Sequence, residues 1–156
     1  MSDYQLMLQA AQRQNLHLFI QGVFATLNNG DRPSAAPYLE ALAFALETAA
    51  LAPGGRLLVT MPPRHLKSIS ASVALPAWLM GRNPSLKVMV ASYGEELARE
   101  HAISFLRVVT SAWYRDLFPQ MRIRPAAIAC WNCAPPPVGS ARRSRSAAPR
   151  PASGPT

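Results

Sequence analysis

The chain has 156 residues, is 49% hydrophobic and carries a net charge of +8. This length allows at most one domain of ordinary size, and the apolar share is enough for a packed core. There is no apolar run of about 18 residues, no basic-then-apolar leader and no cysteine framework beyond Cys130 and Cys133. Membrane-spanning, secreted and disulfide-stapled classes therefore drop out, and a soluble protein of a reducing cytoplasm is expected.

The charge is uneven. All eight acidic residues lie between Asp3 and Asp116, where ten Lys and Arg leave a balance of +2. From Pro119 onward there are six arginines and no acid. A positive balance favours nucleic acid as a partner, but most of it belongs to this tail.

Residues 4–28 carry Leu6, Ala10, Ala11, Leu16, Leu18, Phe19, Val23, Phe24 and Leu27 without a proline, which predicts one helix or two short ones. Asn28-Asn29-Gly30-Asp31-Arg32-Pro33 ends that segment with turn residues. A further helix is predicted over 37–50, with Leu39, Leu42, Ala43, Ala45, Leu46 and Ala49 inward and Glu40 and Glu47 on other faces. Core packing accounts for this pair of segments.

Gly54-Gly55 marks a turn, and Arg56-Leu57-Leu58-Val59-Thr60-Met61 reads as a short buried strand. Pro62 and Pro63 end it, because each lacks an N–H and has a fixed φ. Arg64-His65-Leu66-Lys67-Ser68 follows, and then apolar residues at 69, 73, 77 and 80 have helical spacing. Pro76 falls inside that helix and predicts a kink or a shortening. Strand, tight loop, Lys-Ser and helix place a lysine and a hydroxyl at a helix N-terminus, where loop amides and the helix dipole suit phosphate oxygens. The glycine-rich phosphate loop reads G-x-x-x-x-G-K-[ST]; Lys67 and Ser68 fit it, whereas Met61 and Leu66 stand at the glycine positions. Spacing alone leaves two readings: a triphosphate-binding loop, or an ordinary connection with a solvated Lys67.

Gly81-Arg82-Asn83-Pro84 stops the helix, and Lys87-Val88-Met89-Val90-Ala91-Ser92 reads as a second apolar strand, covered on both faces. A helix from Tyr93-Gly94 to Thr110 has Ala98, Ala102, Phe105 and Val109 as its stripe. Strand and helix in alternation predict an α/β chain: a fragment of a doubly wound parallel sheet, with the loop at the carboxyl ends of its strands. Ser111 is the expected N-cap of a short helix ending near Phe118-Pro119.

Met61-Pro62-Pro63-Arg64-His65-Leu66-Lys67-Ser68 resembles the variant phosphate loop of tailed-bacteriophage and prophage terminase large subunits. The similarity continues through Pro76-Ala77-Trp78-Leu79-Met80-Gly81-Arg82-Asn83-Pro84, Ala91-Ser92-Tyr93 and Trp113-Tyr114-Arg115-Asp116-Leu117-Phe118-Pro119. It covers roughly residues 15–120, with the motifs in the family's order. The resemblance implies a partial P-loop NTPase that binds ATP with Mg²⁺ in an infected bacterial cell. In such proteins ATP hydrolysis drives viral DNA translocation and a separate nuclease domain cuts the DNA. Their partners are double-stranded viral DNA, a terminase small subunit and the portal protein, and they assemble as rings.

Carried over residue by residue, the resemblance gives Lys67 the β- and γ-phosphates, Ser68 the Mg²⁺ ion and Arg64 a place near the γ-phosphate. Pro63 and the backbone amides of His65 and Leu66 line the phosphates. Leu66 must then turn its side chain away. The implied organisation is an N-terminal helical segment (1–53), an incomplete ATPase core (54–119) and a disordered Arg/Pro/Ala-rich tail (120–156).

The tail has no apolar periodicity, so disorder is expected. A natural DNA-binding tail and a change of reading frame both explain its composition; the lack of the family's second nucleotide motif of paired acids favours the frame change. Without those acids and the nuclease carboxylates, this chain alone is expected neither to turn over ATP nor to cut DNA. Cys130 and Cys133 have the spacing of one half of a zinc site, but no other Cys follows and His17, His65 and His101 are distant in sequence, so chance accounts for the pair. Tyr93 reads either as a stacking residue or as core, and His101 and Trp113 as packing. Two other classes remain: a different P-loop or helicase-like nucleic-acid module, and a non-catalytic basic DNA-binding fragment.

Overall fold

A computed structural model of the chain describes residues 3–31, 33 and 36–121. The arginine-rich tail beyond Met121, with Cys130 and Cys133, lies outside the described residues.

The expected Tyr4–Asn28 segment is two helices, α1 (Asp3–Gln14) and α2 (Leu16–Leu27). They separate at Asn15, whose extended backbone and side-chain oxygen, accepting from Leu18 N at 3.2 Å, make it an N-cap. Asn29 and Gly30 then take positive φ, and Gly30 N donates to Ala25 O at 2.7 Å, a left-handed stop of the kind the turn residues imply. Helix α3 (Pro37–Leu51) opens on a proline, where the missing N–H costs nothing.

Residues 67–82 are helical, with π-type turns over Ile69–Ala74 running directly into α4 (Leu75–Arg82). Pro76 is the cause. Its ring would collide with the carbonyl four residues back, so the chain widens by one residue ahead of it, and Leu75 N bonds to Ser70 O instead. The expected kink is thus a local change of register, and the helix continues. Helix α5 (Glu95–Thr110) and helix α6 (Ala112–Leu117) complete the described chain, with Ser111 as N-cap of α6, accepting from Tyr114 N at 3.2 Å.

No strand occurs among the described residues, which overturns the doubly wound parallel sheet and with it the P-loop NTPase fold class predicted above. Residues 56–61 and 87–92 run without a ladder. A strand exists only where a neighbour takes up its N–H and C=O groups, and no second strand is at hand for either segment. The first is half-covered on one face, and the second is exposed along most of its length, Val88 at 37% and Val90 at 43%. Val59 and Met61 pack on the core and Val88 and Val90 line a cavity, whereas Leu58 is 91% exposed and Met89 92%. The apolar runs are read correctly as apolar, but their second face is bare.

The core is helical. Leu16, Phe19, Ile20 and Val23 form one stripe of α2, which touches α1, α3, the helix over 69–82 and α5. Buried residues from α3 (Leu39, Leu42, Ala43, Leu46) and from the later helices (Val73, Ala77, Trp78, Val108, Tyr114) join the same cluster. The far end of the loop-bearing helix is fastened to α1 and α6. Trp78 Nε1 donates to Gln12 O at 3.3 Å, Tyr114 Oη to Ala77 O at 2.8 Å and Gln120 Nε2 to Gly81 O at 3.1 Å. No helix among the described residues is long and apolar enough to cross a membrane.

Candidate functional site

The predicted site residues are brought together as one continuous loop between the core-packed Met61 and the helix starting at Lys67. Pro62 and Pro63 are exposed and restrict the entry, since each fixes its own φ and biases the residue before it. Arg64 follows at φ +65° and Leu66 at φ +59°. Both lie in the left-handed region, which costs a residue with a Cβ about 1–2 kcal/mol. Glycine is the usual occupant of such positions.

Leu66 holds this conformation while its side chain packs against the hydrophobic core. Burial of the side chain is what offsets the strain. Its carbonyl accepts from Ser70 N at 2.8 Å, which begins the helix. Lys67 is half-buried, and Ser68 is exposed with helical φ −68° and ψ −41°. Pro62 to Ile69 line a concavity of about 210 Å³ made by the loop alone.

The charges around this concavity are of one sign. Neither Arg64 nor Lys67 has an ion-pair partner among the described residues. No acidic residue occurs between Glu47 and Glu95. Left-handed residues alternating with ordinary ones are the backbone pattern that can turn successive amides toward one anion, and the cations Arg64 and Lys67 in the same lining add to the attraction. A phosphate group fits this donor set; Ser68 is the hydroxyl available to a metal bound with it.

His65 sits between the two left-handed residues. Its Nδ1 lies 2.8 Å from Pro63 O. A carbonyl only accepts, so Nδ1 carries the proton and donates. The ring also lies 5.3 Å from the ring of Tyr38 on α3, inclined at 59°. Sequence reasoning missed Tyr38; it stands 27 positions before His65, and no local pattern couples them.

No family model, curated protein or solved structure matches this chain. The site therefore stands on its own geometry.

The remaining candidates fall outside the loop. Tyr93 is 98% exposed, so the reading of it as a core residue fails. His101 is half-buried, its Nδ1 3.4 Å from Ser92 Oγ. Trp113 stacks on Phe19 at 5.3 Å and donates to Gln12 Oε1 at 3.2 Å, a packing role. Among the described residues no group of three or more His, Cys, Asp or Glu is placed to hold a metal ion.

Proposed function

We propose that residues 62–68 bind the phosphates of ATP with Mg²⁺, and that the chain serves as the nucleotide-binding part of a DNA-packaging ATPase of the terminase large-subunit kind. One observation carries the proposal. Leu66, at the position a phosphate loop gives to glycine, takes the left-handed backbone for which glycine is used, directly ahead of Lys67 and Ser68. An ordinary connection between a loop and a helix has no need of a strained leucine there.

In this reading Lys67 contacts the β- and γ-phosphates, Arg64 lies near the γ-phosphate, and the amides of His65 and Leu66, with Pro63, line the hollow. Ser68 holds the metal ion, which when bound supplies positive charge to the phosphate oxygens. These residues bind and orient the triphosphate. Double-stranded viral DNA, the terminase small subunit, the portal protein and further copies in a ring are the partners that the resemblance suggests.

Calorimetric titration with Mg·ATP tests the assignment. A charge-assisted hydrogen bond is worth about 1.5–3 kcal/mol, so Lys67→Ala should weaken binding by roughly 10- to 150-fold. Equal affinity of wild type and Lys67→Ala, or no binding at millimolar ATP, would overturn it.

A further inference from the structure

We propose that Tyr38 is a positioning residue: from the start of α3 it braces His65 and so keeps the phosphate loop in its left-handed form. The inference rests on the loop's assignment as a triphosphate site.

The argument begins with the cost of the loop. Two residues with side chains, Arg64 and Leu66, are held at positive φ on either side of His65. Such residues persist only where their surroundings over-determine them. On one side the restraint is the Leu66 side chain, which packs into the core. On the other, Arg64 is exposed and has no such anchor. The restraint nearest to it is the His65 ring, tied back to Pro63 O at 2.8 Å and set against Tyr38 at 5.3 Å.

The hydrogen bond joins neighbours within the loop, so it closes the turn without fixing the turn to the molecule. Tyr38 supplies that fixing. It is the second residue of α3, and the next residue, Leu39, is 1% exposed, with Leu42, Ala43 and Leu46 buried behind it. The ring is thus mounted on a helix that the core holds still. Tyr38 is itself 39% exposed, so its contact with His65 forms part of the loop's outer wall rather than of the core. Contact between the rings is what matters, and a phenylalanine should supply it.

The test uses the full chain with Tyr38→Ala, Tyr38→Phe, His65→Ala and Lys67→Ala. Mg·ATP and inorganic tripolyphosphate are the two probes, and unfolding temperature is followed in parallel. If bracing is lost and the competent loop falls to about a tenth of molecules, apparent affinity falls about tenfold. Tyr38→Ala and His65→Ala should show this loss for both probes equally, with Tyr38→Phe close to wild type. A loss confined to ATP would make Tyr38 a base contact and overturn the brace, as would unchanged affinity in Tyr38→Ala.

A second readout needs no ligand. The backbone carbon chemical shifts of Arg64 and Leu66 report left-handed φ, and should move toward extended values in Tyr38→Ala but not in Tyr38→Phe. If those shifts stay put, the brace is wrong even where Lys67→Ala abolishes binding. If they move while neither probe binds, the brace stands and the triphosphate assignment falls.

Discussion

Gly81 offers the most decisive test of how the loop-bearing helix is held. A methyl group placed there would lie 2.5–2.7 Å from three carbons of the Phe118 ring. Carbon atoms in contact prefer about 3.5–4.0 Å, so the ring would have to retreat by about 1 Å. It has little room, for Phe118 is 1% exposed and its ring already sits 5.2 Å from Tyr114 and 6.0 Å from Phe19. Two effects of opposite sign compete in Gly81→Ala. Helix propensity favours alanine by about 1 kcal/mol, and overpacking a filled core costs about 1–3 kcal/mol. With so little room for the ring the cost should fall in the upper part of its range, so the second should win and leave the variant up to about 2 kcal/mol less stable. Urea unfolding followed by tryptophan fluorescence measures this as a midpoint lowered by roughly 1 M, taking a slope of about 1–2 kcal/mol per molar. Phe118→Leu should relieve part of the loss, so the double variant should be more stable than the two single losses predict when added, by at least about 0.5 kcal/mol. An equal or higher midpoint for Gly81→Ala would refute the packing of α4 against the 118–121 turn.

Two further outcomes follow from buried polar groups. Ser70 is fully buried and its hydroxyl finds no partner among the described residues, so Ser70→Ala should raise stability by about 1 kcal/mol in the same urea assay; a loss would mean that the hydroxyl is bonded. Burial pushes the Tyr114 hydroxyl well above the ordinary tyrosine range. The unfolded chain then loses that proton first, so the stability this group contributes is intact below about pH 10 and declines as pH rises, by up to about 1.4 kcal/mol per unit. Tyr114→Phe should lower stability near neutrality by about 1 kcal/mol, through loss of the bond to Ala77 O, and should flatten that alkaline decline; an unchanged slope would refute the link.

Binding and stability at the loop pull in different directions, which explains its composition. In the proposed reading, Leu66 serves the core with its side chain and the phosphates with its backbone, and a glycine would serve only the second. Prolines at 62 and 63 restrict the unfolded chain as well, which lowers the entropy lost on ordering the loop. A rigid loop without glycine therefore depends on contacts from elsewhere in the chain, from the core at Leu66 and from α3 at His65.

What the sequence determined by itself was local. Apolar spacing placed the helices, and residue types with local backbone preferences placed the turn at Asn29 and Gly30 and the Ser111 cap, because a helix meets its own hydrogen bonds within four residues. The motif also brought residues 63–68 together as a loop before a helix, since they are neighbours along the chain. The tertiary structure alone decided what depends on distant partners. Arg56–Met61 and Lys87–Ser92 have the composition of strands, yet a ladder needs a second segment to take up the backbone N–H and C=O groups, and among the described residues no such pairing forms. For the same reason only the fold could place Tyr38 against His65 and turn Leu66 inward, because pattern within one segment carries no information about what lies across from it.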